Sequence, residues 1–112
     1  MDDELPATRL MVFLTEDDRF AHHSLAEVLL ERARDVGLAG ATIWRCAEGF
    51  GPDGHLRAER LPDLARGLPL VLEIIDEEER ITAFVPLVRE LADGALVTLE
   101  SVRISRPPAS AA

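Results

Sequence analysis

The chain has 112 residues, a formal net charge of −9 and an apolar content of 47%. That is one domain with enough apolar residues for a core, which excludes a disordered chain. No apolar run approaches the roughly 18 residues of a helical membrane span, and the acidic balance argues against non-specific binding to nucleic acid.

The first residues, Met1-Asp2-Asp3-Glu4, are acidic where a secretory leader is basic, so a cytoplasmic protein is expected. Residues 1–8 read as a flexible lead-in. Thr8 to Thr15 is a nearly continuous apolar run and reads as a central strand, broken by Glu16-Asp17-Asp18. Ser24-Leu25-Ala26-Glu27 fits a capping box. Leu25, Val28, Leu29, Ala33 and Val36 then recur at helical spacing, and Gly37 fits a left-handed stop.

Ala41 to Ala47 is predicted as the second strand. Gly49 to Gly67 follows as a long polar loop, with Pro52-Asp53-Gly54 as a turn signal. Loops of that length in so small a domain are usually functional or disordered. Leu68 to Ile75 is the third strand, with Pro69 confined to its entry. Asp76 and Glu79 read as an acidic cap for a second helix, whose buried stripe is Ile81, Phe84, Val85, Val88 and Leu91. Pro86 falls inside that helix and is expected to kink it. Ala95 to Ser105 is the last strand, and residues 106–112 read as a frayed tail.

The order βαββαβ predicts an α+β, ferredoxin-like sandwich over residues 9–105: a four-stranded antiparallel sheet with two helices on one face. Strand one places Leu10, Val12 and Leu14 on one side but Met11 and Phe13 on the other. A half-exposed sheet normally alternates apolar with polar. Leaving the second set wet forgoes about 1.5–3 kcal/mol per large side chain, so the open face is expected to pack against further copies in a closed ring.

Gly37-Leu38-Ala39-Gly40-Ala41-Thr42, then Arg45, Glu48-Gly49-Phe50-Gly51, Leu68-Pro69 and Glu73-Ile74-Ile75-Asp76 resemble the DUF190 family of bacteria and archaea, over roughly Arg9 to Ile104. That family is similar to the PII signalling proteins. The resemblance implies a homotrimer, nucleotide clefts between subunits, and a loop between strands two and three that contacts partners. It also implies, from members encoded beside fluoride-exporting channels, a membrane-transport partner. Cys46 and Ala47 stand where the family often has glycine and a larger aliphatic residue. Asp76-Glu77-Glu78-Glu79 replaces the glycine- and lysine-containing phosphate loop of PII proteins, and four carboxylates oppose a triphosphate there.

The residues themselves support a binding module. Gly49-Phe50-Gly51 either cradles an anion with its amides or serves as a hinge. Arg45, Glu48, His55, Arg57 and Arg60 join it as candidate ligand-binding residues. The expected ligand is a nucleotide or other small anionic effector, with no cofactor assigned. All 12 basic residues are arginine, which genome composition explains. His22 and His23 lack the one-turn spacing of helical metal ligands, and no metal site is assigned. Cys46 reads as a small strand residue, Trp44 as a core or interface anchor. No catalytic set can be assembled, so an enzyme is not expected. The alternative is a divalent-metal-binding trimer similar to CutA.

Overall fold

In the computed structural model, which describes residues 4–105, the two strongest apolar runs become the centre of one sheet. Its strands are β1 (Glu4–Thr15), β2 (Ala41–Arg45), β3 (Pro69–Asp76) and β4 (Leu96–Ser105), and the helices are α1 (Leu25–Asp35) and α2 (Glu78–Leu91). The strand order is β2-β3-β1-β4 with every pair antiparallel. This is the ferredoxin-like βαββαβ arrangement.

Period-two alternation divides β1 and β3 between the two faces of the sheet. Leu10, Val12, Leu14, Leu70, Leu72 and Ile74 form one buried cluster with Leu25, Leu29 and Ala33 of α1 and Ile81, Phe84 and Val88 of α2. Both helices therefore cover the same face. The opposite face carries Met11, Phe13, Trp44, Val71, Ile75 and Leu96; Phe13, Trp44 and Leu96 keep 38%, 55% and 62% of their surface exposed. The apolar second face expected from the sequence is thus uncovered in the single chain.

That face also carries a polar line across all four strands. Arg9 on β1 pairs with Glu100 on β4 and lies 3.7 Å from Glu73 on β3, while the indole Nε1 of Trp44 on β2 donates to Glu73 at 3.0 Å. The Arg9 Nε is buried with no partner among the described residues.

The helices start and stop close to where the sequence places them, but their first turns are held by other bonds than expected. α1 ends where expected: Gly37 takes φ +81°, Leu38 N–H donates to the Ala33 carbonyl and Gly37 N–H to Arg34, the paired bonds of a Schellman stop. Its start is different. Ser24 is the cap residue but forms no side-chain cap bond, and its backbone pairs with Arg19 in a small hairpin, Arg19–Phe20 against His23–Ser24. The amide of Leu25 is taken by the Asp18 carbonyl at 2.9 Å.

Asp76 does not cap α2 as a helix residue either. It ends β3, is 5% exposed, and accepts from the amides of Glu77 (2.7 Å) and Ala39 (2.9 Å) and from Arg80 (3.2 Å). Arg80 also donates to the Gly37 carbonyl. The α1–β2 turn is thereby fixed to the start of α2. α2 continues through Pro86, which lies on the exposed side where water can satisfy the carbonyl left without a donor. β1 begins at Glu4, within the stretch expected to be flexible, because residues 4–7 pair with 102–105 as a two-stranded extension of the sheet. The expected frayed tail, residues 106–112, lies outside the described residues.

Candidate functional site

The connection from β2 to β3 is more structured than its composition implies. Glu48–Gly49 pairs with Arg57–Ala58, and Pro62–Leu64 makes one turn of 3₁₀ helix. Ala58 is fully buried, and the Glu59 amide donates to the Ala47 carbonyl at 2.8 Å. The tip contains the predicted Pro52-Asp53-Gly54 turn, closed by a 2.9 Å bond from Gly54 N–H to the Gly51 carbonyl. Phe50 is 72% exposed beside it.

Two separate groups contain the candidate residues. Within the loop, Arg60 Nε donates to Glu48 at 3.0 Å, Arg57 lies 3.6 Å from Asp53, and the His55 ring lies 3.8 Å from the same carboxylate. Gly49 belongs to the small ladder, where a Cβ would meet Pro69 at 3.4 Å. Gly51 has open space around it. Neither glycine occupies the positive-φ region. Arg57 and Arg60 are matched by the loop's own carboxylates.

Arg45 forms the second group. It ends β2 and faces the helix side of the sheet, so the next-door Trp44 points to the opposite, uncovered face. Arg45 lines a cleft of about 250 Å³ with Glu16, Ser24, Ala26, Glu27, Ile43 and Leu70. Its guanidinium stands 3.5 Å from Glu16. The other oxygen of Glu16 accepts the Leu68 amide at 3.0 Å, and the Glu16 amide donates to the Leu68 carbonyl at 2.9 Å. Cys46 N–H donates to the Pro69 carbonyl at 3.0 Å. The departing and returning ends of the loop are therefore joined at its base.

Glu16 and Glu27 were not among the predicted site residues. Glu16-Asp17-Asp18 reads in the sequence only as a strand breaker, yet each member has a structural task. Asp18 accepts the Thr15 amide at 2.8 Å, and Asp17 packs so closely on Gly67 (φ +65°) that a Cβ there would sit 2.4 Å from its carboxylate. Among the described residues, no three His, Cys, Asp or Glu side chains gather as a metal would require. His22 sits at φ +71° in the Arg19–Ser24 hairpin, outside the loop. Cys46 is half-buried with a free thiol. A second groove of about 390 Å³ runs between α1 and the α1–β2 turn, lined by Leu30, Ala33, Leu38 and Ala41 among others.

This sheet order, with a long loop between its second and third strands, is the fold of PII-like signalling proteins. A protein of Thermus thermophilus described as PII-like superposes with a TM-score of 0.69 at 23% identity, covering 95% of both chains. CPII of Thiomonas intermedia K12, solved with ADP and bicarbonate, superposes with a TM-score of 0.65 at 21% identity over 96% of each. The chain belongs to the DUF190 family (Uncharacterized ACR), which it matches over residues 7–104. A UPF0166 protein of Aquifex aeolicus (strain VF5) is 41% identical over 95 residues, 85% of this chain and 90% of that one.

Proposed function

We propose that this chain is the protomer of a trimeric regulatory protein of the PII-like kind, acting in the cytoplasm. It binds a small anionic effector, a nucleotide or metabolite, at the loop base in clefts between copies. It presents the loop, with Phe50 at its tip, to a partner protein such as a membrane transporter or channel. The observation that carries this reading is the division of labour on β2. Trp44 serves the uncovered sheet face while the adjacent Arg45 serves the cleft beside the loop, so one edge strand links assembly, effector and loop.

Membership of the DUF190 family and the PII-like fold support the reading. So does the ligand chemistry of a protein sharing the fold, CPII with ADP and bicarbonate. In this proposal His55, Arg57 and Arg60 exchange their internal carboxylate partners for the effector, Glu48, released from Arg60, accepts hydrogen bonds from the effector's donor groups, and Gly49, Phe50 and Gly51 supply the adaptable backbone. No residue is assigned a catalytic role. The CutA-like metal reading requires ligands drawn from more than one copy, since the described residues of one copy gather no such set.

Calorimetry with ADP, AMP, bicarbonate and Zn²⁺ tests the proposal. Saturable binding of at least one of the three anions is expected, weakened by about ten- to a hundredfold in Arg45→Ala, the loss of one charge-assisted contact. The melting temperature of unliganded Arg45→Ala should stay close to wild type, because an exposed ion pair contributes about 0–1 kcal/mol. Binding of Zn²⁺ and of no anion contradicts the proposal.

A further inference from the structure

The loop base contains a contact with the form of a built-in competitor. Glu16 spends its two carboxylate oxygens on different tasks: one accepts the Leu68 amide at 3.0 Å, the other faces Arg45 at 3.5 Å. The Arg45 side chain is 64% exposed and that of Glu16 33%. The pair is therefore longer than the roughly 2.7–2.9 Å of a well-formed charge-assisted bond and open to solvent, so displacing it costs little. The Leu68 side of the contact is different. Leu68 is 2% exposed, its N–H donates to the Glu16 carboxylate and its carbonyl accepts from the Glu16 amide, and Gly67 beside it is held at positive φ against Asp17.

We propose that Glu16 is an internal anion that occupies Arg45 in the effector-free protein and couples effector binding to the returning end of the loop. An anion arriving at Arg45 takes over the guanidinium and adds a negative charge beside Glu16. The Glu16 carboxylate then turns away from the cleft and its hold on the Leu68 amide loosens. The coupling is a two-state exchange of partners, in which differential contact with Arg45 biases the loop. It sets both a threshold for effector affinity and the direction of the loop response. This inference rests on the reading of Arg45 as an effector contact.

The test is Glu16→Gln, which keeps an acceptor for the Leu68 amide and removes the competing charge. Calorimetry with bicarbonate and with ADP should show binding tightened on the order of three- to tenfold for whichever probe the wild type binds, the range expected of a lost exposed ion pair plus relieved repulsion. Amide exchange at Leu68 should accelerate severalfold when the wild type is saturated with that probe. In Glu16→Gln it should no longer respond. Glu27→Gln, which alters the same cleft, should tighten binding less than about twofold, as an unpaired charge in solvent does. Equal affinity in wild type and Glu16→Gln overturns the competitor role while leaving the effector site standing. Equal tightening by Glu27→Gln replaces it with the general field of the cleft. If neither protein binds either probe, the effector reading of Arg45 falls and the competitor role falls with it.

Discussion

Removing the carboxylate of Asp76 should loosen the molecule where β3, α2 and the α1–β2 turn meet. The side chain is 5% exposed and accepts three times: from Glu77 at 2.7 Å, from Ala39 at 2.9 Å and from Arg80 at 3.2 Å. Each bond to a charged acceptor is worth about 1.5–3 kcal/mol, but the three do not add. Ala39, Glu77 and Arg80 all lie near solvent and can recover part of the loss from water. Breaking a fully buried pair costs about 3–5 kcal/mol, so a lower figure applies here. Asp76→Ala is expected to destabilise by about 2–3 kcal/mol, and Asp76→Asn by about half as much because one acceptor remains. Urea unfolding followed by circular dichroism, at one fixed protomer concentration so that association does not intrude, gives the difference directly. A loss below about 0.5 kcal/mol in Asp76→Ala would refute the idea that this carboxylate organises the turn; surface substitutions produce changes of that size.

Gly67→Ala should destabilise by about 1–3 kcal/mol, because φ is +65° and the added Cβ would lie 2.4 Å from the Asp17 carboxylate; thermal melts of Gly67→Ala alone and combined with Asp17→Ala separate backbone strain from the clash. Ala21→Gly should stabilise by about 1 kcal/mol, since Ala21 holds φ +50° in the Arg19–Ser24 hairpin, and an unchanged or lowered urea midpoint would contradict that backbone assignment.

How much of this was legible in the sequence follows from the range of the interactions involved. Thr8 to Thr15 and Leu68 to Ile75 are apolar enough to announce central strands, and Leu25, Leu29 and Ala33 at helical spacing announce α1, so the layer order was accessible. Gly37 marked the helix stop through its own conformational freedom. The Arg19–Ser24 hairpin was hidden because its turn uses Ala21 and His22 at positive φ instead of the glycine or asparagine that signals such turns. The two-residue ladder inside the loop is too short to carry a periodic pattern. Asp76 looked like a helix cap because its decisive partner, Ala39, is 37 residues away. Glu16 looked like a strand breaker for the same reason: its contact with Leu68 spans 52 residues. Of the β2–β3 connection, its extent and the Pro52-Asp53-Gly54 turn were legible. The division of Arg45 from the ion-paired loop arginines was a tertiary fact.

We propose that the uncovered sheet face is an assembly surface, and the mass of the protein in solution is the decisive test of it. Phe13, Trp44 and Leu96 lie on that face around the Arg9–Glu73–Glu100 line. Burying them in a closed ring recovers about 1.5–3 kcal/mol per large side chain, and a partner copy can supply the acceptor that the buried Arg9 Nε lacks. Light scattering after gel filtration at micromolar concentration should return about 37 kDa, three times the 12.3 kDa chain. Phe13→Asp should shift that value toward a single chain and lower the melting temperature with it. A wild-type protein that elutes as a stable 12.3 kDa monomer, melting at the same temperature as Phe13→Asp, would contradict the account.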